Sequence, residues 1–269
     1  MDPEKAAAIA AVLATDRSNL MRQRKMSRRE VWLSGQADLI RVDEWYLPHF
    51  MDVEKDGIEL TVRANGAVDY DYELLRRGSP VGGFRKRYEE MLPEERSRHY
   101  QALVGAVAQS ASATSELVTD TTSYPARLAF SCYVPDYAVV DGDTLTLTVP
   151  GLSSGFGLVG DVRRSPVGVD RATPSTERWT VVFPEGYAEV EKLPEPVVIH
   201  DPLDPAKVWS RVGVASEVRD GRLAVTLVKE TFARESAVVA TDYFPLLRDW
   251  SRRGAAPSSR TITVRRRRP

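Results

Sequence analysis

The feature that most restricts this fold is a change of hydrophobic period at Gly57. Ile58, Leu60 and Val62 alternate with Glu59, Thr61 and Arg63, and Val68, Tyr70, Tyr72 and Leu74 alternate with Asp69, Asp71 and Glu73. A period of two puts one set on a buried sheet face and the other in water, so the segment predicts two strands of a hairpin. A two-residue Asn65-Gly66 loop would pair Val62 with Asp69 and mix the two faces. A three-residue loop, Ala64-Asn65-Gly66, pairs Val62 with Val68 and Leu60 with Tyr70, and it requires Gly66 in the left-handed region.

Similar runs predict strands over 117–119, 126–134, 137–140, 145–149, 178–183, 188–191 and 261–264. Residues 209–218 and 222–229 form a second hairpin through Asp220-Gly221, where a two-residue turn sets Val218 opposite Leu223 and Val214 opposite Leu227. Helical spacing occupies three places. The first is residues 3 to about 30, with Asp2 as N-cap and Pro3 at the first position. The second is residues 81 to about 112, divided at Pro93, whose stripe Tyr100, Leu103, Val104 and Val107 should pack on a sheet. The third is a short helix over 242–250. The stretch 153–174, rich in Gly, Ser, Pro and Arg, reads as a boundary or long loop. The expectation is therefore a mainly β protein with an antiparallel sandwich-like architecture, an N-terminal helical segment and a helical insertion. Its divisions fall at 1–50, 51–152 and 153–269, the last ending in a basic tail.

Read in order, these elements resemble the region that follows the catalytic core in bacterial transglutaminase-like proteins that carry a domain of unknown function before that core. The residues that carry the resemblance are the hairpin 58–74 continuing through Gly78 to Arg85-Lys86-Arg87-Tyr88, and the helix from Pro93. Further ones are Arg163-Arg164-Ser165-Pro166, the stretch Val182-Phe183-Pro184-Glu185-Gly186-Tyr187 with Leu193-Pro194, and the closing Asp242-Tyr243-Phe244-Pro245-Leu246-Leu247. It covers residues 51–269. In that family the catalytic Cys, His and Asp lie in the core upstream, and nothing here resembles that core, so no catalytic residue is carried over. The resemblance implies a non-enzymatic accessory module with no cofactor, acting beside a separate transglutaminase-like catalytic protein or an envelope component.

Composition narrows the alternatives. Across 269 residues, 37 Lys+Arg stand against 38 Asp+Glu, which excludes the general positive field of a nucleic-acid binder. Cys132 is the one cysteine, so intramolecular disulfides and thiolate zinc sites are excluded together. Its strand-like setting in Phe130-Ser131-Cys132-Tyr133 favours burial over the alternative of a divergent cysteine hydrolase or acyltransferase. His49, His99 and His200 show no metal-ligand spacing, and His99 belongs on the helix from Pro93 in a surface or capping role. Asp69, Asp71 and Glu73 read as a solvated strand face rather than a calcium or carboxylate-pair site. Asp201-Pro202-Leu203-Asp204-Pro205 reads as a rigid loop, and Trp45-Tyr46 as the most binding-like aromatic pair.

No run is long and apolar enough to span a bilayer, and the start Met1-Asp2-Pro3-Glu4-Lys5 lacks the basic opening of an export signal. That start predicts a cytoplasmic product, whereas the family resemblance implies the envelope. From Arg248 onward eight arginines face one acid, so this segment carries +7 and the rest of the chain −8. Arg265, Arg266, Arg267 and Arg268 are the candidate anion contacts. The expected role is a solvated tail or an intramolecular partner for the acidic body, with phosphate or anionic-surface binding as the alternative.

Overall fold

The computed structural model describes residues 30–32, 39–41, 53–78, 80–152 and 163–267. The chain divides into two units, Met1–Met51 and Asp52–Pro269. In the first, β1 (Glu30–Trp32) and β2 (Leu39–Arg41) pair antiparallel with Val31 opposite Ile40. The helix predicted over residues 3 to about 30 lies outside the described residues except for Glu30, which opens β1.

The second unit is mainly strand. β3 (Val53–Val62) and β4 (Val68–Arg77) form the hairpin whose register the alternation predicts, with Val62 opposite Val68 and Leu60 opposite Tyr70. The Arg63 amide donates to the Ala67 carbonyl at 2.8 Å, which closes a three-residue loop, and Gly66 has φ +84°. Helices α1 (Pro80–Glu90) and α2 (Pro93–Val107) follow. Pro93 occupies the first turn of α2 with Glu94 and Glu95, and the Glu95 carboxylate accepts the Leu92 amide proton at 3.3 Å. Val104 is buried, and Tyr100, Leu103 and Val107 pack against the core as their spacing predicts.

The remaining strands are β5 (Ser112–Ala113), β6 (Val118–Asp120), β7 (Ala126–Val134), β8 (Val139–Asp141), β9 (Thr144–Thr148), β10 (Val167–Val169), β11 (Ser175–Val182), β12 (Tyr187–Lys192), β13 (Val197–His200), β14 (Val208–Arg219), β15 (Arg222–Thr231), β16 (Ala237–Val239) and β17 (Thr261–Arg266). Helix α3 (Phe244–Ala255) precedes β17. The larger sheet runs β13-β14-β15-β11-β3-β4-β7-β5, with β6 also on β7; the smaller runs β12-β17-β9-β8, and β10 pairs with β16. One core gathers Leu60, Val62, Val68, Phe130, Trp179, Val181, Val225 and Leu227 of the larger sheet with Leu145, Leu147, Ile262 and Val264 of the smaller. A satellite cluster joins Val167, Val169, Trp209, Val239, Phe244 and Leu247.

One expectation needs correction. Residues 153–269 do not make a second β domain: β11 inserts between β15 and β3, so the sheet is continuous across the proposed boundary. Burial drives this, because Trp179 and Val181 take core positions beside Ile58 and Leu60. The expected antiparallel, sandwich-like β architecture is present, and within it one pairing is parallel, β11 with β3, an arrangement that the long connection between them permits. The Asp220-Gly221 hairpin keeps its predicted register, Val218 opposite Leu223, with φ +51° and +75° at the two turn residues.

Candidate functional site

Cys132 points into the core from β7 and is 1% exposed. Burial first, and then the Asp71 carboxylate, pushes its thiol up to about 11. At neutral pH it is a protonated, enclosed side chain, unsuited to nucleophilic attack. His99 lies on α2 as expected and bonds Tyr88, while His200 ends β13 with Nδ1 2.8 Å from the Pro205 carbonyl oxygen. His49 and the Trp45-Tyr46 pair lie outside the described residues. The loop after β13 is tied by its own acids: the Asp201 carboxylate accepts the Leu203 amide proton at 2.8 Å, and Asp204 pairs with Lys207 at 3.0 Å. Among the described residues no three His, Cys, Asp or Glu side chains converge in a metal-like group.

Asp69, Asp71 and Glu73 share the outer face of β4, and each has a partner. Asp69 takes two bonds from Arg63 at 2.7 and 2.8 Å, Asp71 accepts from the Ser131 hydroxyl at 2.5 Å, and Glu73 pairs with Arg127 at 2.6 Å. The same face carries a depression of about 460 Å³ whose lining includes Gly57, Glu59, Arg127, Ala129, Arg178 and Thr180. Register explains its shape. Arg178, Gly57, Glu73 and Ala129 lie opposite one another across β11, β3, β4 and β7, and Thr180, Glu59, Asp71 and Ser131 form the next row. Gly57 and Ala129 leave the floor low on either side of Glu73, while the longer side chains form the walls. Arg178 is exposed and makes no ion pair among the described residues.

A scan of protein-family models, of curated proteins and of solved structures finds no match to this chain.

Of the candidate anion contacts at the C-terminus, Arg265 and Arg266 have side-chain partners within the fold. Arg265 sits in β17 opposite Glu189 and Thr144 and pairs with Glu191. The Arg266 guanidinium lies 5.0 Å from the centre of the Tyr187 ring, and the Arg267 amide donates to the Gly186 carbonyl at 2.7 Å. Arg268 is outside the described residues. The expectation of an intramolecular partner thus describes Arg265 and Arg266 better than a solvated tail does.

The residue reading missed a polar cluster on the core side of the larger sheet. Asp56 on β3, Glu177 on β11 and Lys229 on β15 lie opposite one another, and the Tyr72 hydroxyl is close enough to the Asp56 carboxylate to act on it. Lys229 pairs with Glu177 at 2.8 Å, whereas Asp56 Oδ1 is buried without a partner. Burial, and then the neighbouring Glu177, raise the Asp56 carboxyl to about 6 against the opposing effects of Tyr72 and Lys229. The signal for it lay in parity, since Asp56 shares the face of Ile58, Leu60 and Val62.

Proposed function

We propose that this chain is a non-catalytic β-sandwich interaction module that recognises a separate transglutaminase-like protein or an envelope component through the outer face of its larger sheet. The observation that carries the reading is the depression centred on Gly57. Polar strand faces are normally covered evenly by side chains, and here two small residues open a floor among charged walls that a partner's side chain can enter. Arg178 supplies an available cation at the rim, while the Arg127–Glu73 pair is exposed enough to exchange partners at small cost. The buried Cys132 favours this over the hydrolase reading.

The test mixes purified chain with a purified transglutaminase-like catalytic protein from the same source, and separately with isolated envelope polymer, reading association by analytical ultracentrifugation or co-sedimentation. Association that falls at least tenfold in Arg178→Glu and in Gly57→Thr supports the proposal. Absence of binding to both materials, or binding indifferent to both substitutions, rejects it.

A further inference from the structure

The helical insertion holds a second charged cluster, distant in sequence from the C-terminal arginines. Tyr88 on α1 and His99 on α2 are joined by a 2.9 Å contact between Oη and Nε2. Arg87 Nη2 lies 3.4 Å from His99 Nδ1, and its guanidinium is 5.7 Å from the centre of the Tyr88 ring. Arg96 is held in place by bonds from Nη2 to the Leu117 carbonyl at 2.8 Å and the Thr119 hydroxyl at 2.7 Å. Arg76 on β4 adds a third guanidinium close enough to act on Tyr88. Neither Arg87 nor Arg96 forms an ion pair with any described residue.

The direction of the hydrogen bonds matters more than the count of charges. Arginine can only donate, so His99 Nδ1 accepts from Arg87. Burial and the charges of Arg87 and Arg96 lower the His99 pKa, so the ring is neutral at pH 7 and carries its one proton on Nε2. That proton is donated to the Tyr88 oxygen. The Tyr88 hydroxyl hydrogen is then left to donate elsewhere, and it has no acceptor among the described residues. A chain of donors from Arg87 through His99 to Tyr88 therefore ends in an O–H without a partner, beside three guanidinium groups. Tyr88, His99 and Arg96 are half-buried and Arg87 is exposed, so the place is open to a ligand yet partly shielded from screening by water.

We propose that α1, α2 and β4 form a binding site for an oxyanion of the phosphate class, with Tyr88, Arg87 and Arg96 as its direct donors, His99 as the group that orients Tyr88, and Arg76 as a supporting charge. This site is independent of the sheet-face reading and stands or falls separately.

The test titrates the full chain with inorganic phosphate against chloride at matched ionic strength, following the His99 ring nitrogens by NMR and the thermal midpoint. Phosphate-specific movement of the His99 signals with a rise in midpoint is expected. Tyr88→Phe keeps the ring packed on Phe84, whose centre is 4.7 Å away, and removes only the hydroxyl; it should weaken phosphate binding about tenfold, as should Arg87→Gln, with Arg87→Lys recovering part. Equal responses to phosphate and chloride, or unchanged binding in both folded variants, would overturn the proposal. Vesicles bearing phosphatidic acid, compared with phosphatidylcholine alone, identify the source. Phosphate-competed sedimentation with the former supports a lipid headgroup, and phosphate binding without sedimentation supports a soluble ligand.

Discussion

Asp56 offers a direct measurement of what its buried position costs. In the folded chain its carboxyl titrates near 6, raised from 3.8 chiefly by burial and next by Glu177. Because the folded state holds this proton more tightly, folding takes up a proton between those two values. The stabilisation from Asp56 is fully present below pH 3.8 and is lost as pH rises through 6. A shift of about two units corresponds to about 3 kcal/mol at most, and the carboxyl's partial access to water reduces this to about 1–2 kcal/mol. Asp56→Asn removes the charge, can accept from the Tyr72 hydroxyl, and can turn its amide toward Glu177. The variant should therefore match the parent near pH 4 and exceed its stability by about 1–2 kcal/mol at pH 8. Urea unfolding of both proteins at a series of pH values checks this, since titrations common to both cancel in the difference. A difference independent of pH, or a variant less stable at pH 8, would refute the account of the Asp56–Glu177 pair.

Gly66→Ala should destabilise by about 3 kcal/mol in urea melts, because it combines a left-handed φ of +84° with a new Cβ only 2.3 Å from the Ala138 carbonyl oxygen. Gly142→Ala, at φ +57° with nothing within 4 Å, should cost only about 1 kcal/mol, and equal losses would mean that the close approach contributes nothing. Native Cys132 should remain unmodified by a thiol reagent over a period in which the urea-unfolded chain reacts fully; comparable rates would contradict its burial. Gly57→Thr should leave stability unchanged or raise it by about 0.5–1 kcal/mol, since a Cβ there meets only the Glu73 carbonyl at 3.8 Å, so a loss of binding in that variant cannot be assigned to unfolding.

Local pattern made several elements legible with residue accuracy. The two hairpin registers followed from keeping apolar residues on one face, and the helix break from Pro93, because both are decided by neighbours in sequence. The partnership of β11 with β3 was not legible. Trp179 and Val181 announce a buried strand, but its neighbours are chosen by the whole core, and a Gly- and Pro-rich connection looks the same whether the chain leaves a sheet or returns to it. Among the candidate sites, Asp56 was available by counting parity from Ile58, whereas its opposition to Glu177 needed the parallel register. Short strands such as β5, β10 and β16 carry too few residues for alternation to be recognised.

The arginines show why a charge count along the chain is a poor guide to binding. With 30 arginines among 37 basic residues, nearly any segment can be made to look like an anion site. On the strands, however, the sheet registers bring carboxylates to them: Arg127 meets Glu73, Arg211 meets Glu230 and Arg265 meets Glu191. Each of these pairs joins neighbouring strands, so the charge favours the native register and contributes little field at a distance. Arg265 belongs to this class although it lies in the most basic stretch of the sequence. Arg87 and Arg96 differ because α1 and α2 place them against Tyr88 and His99, neither of which supplies a negative charge at neutral pH. Neither arginine is ion-paired with a described carboxylate, and an anion from outside the chain is the group that would complete the cluster.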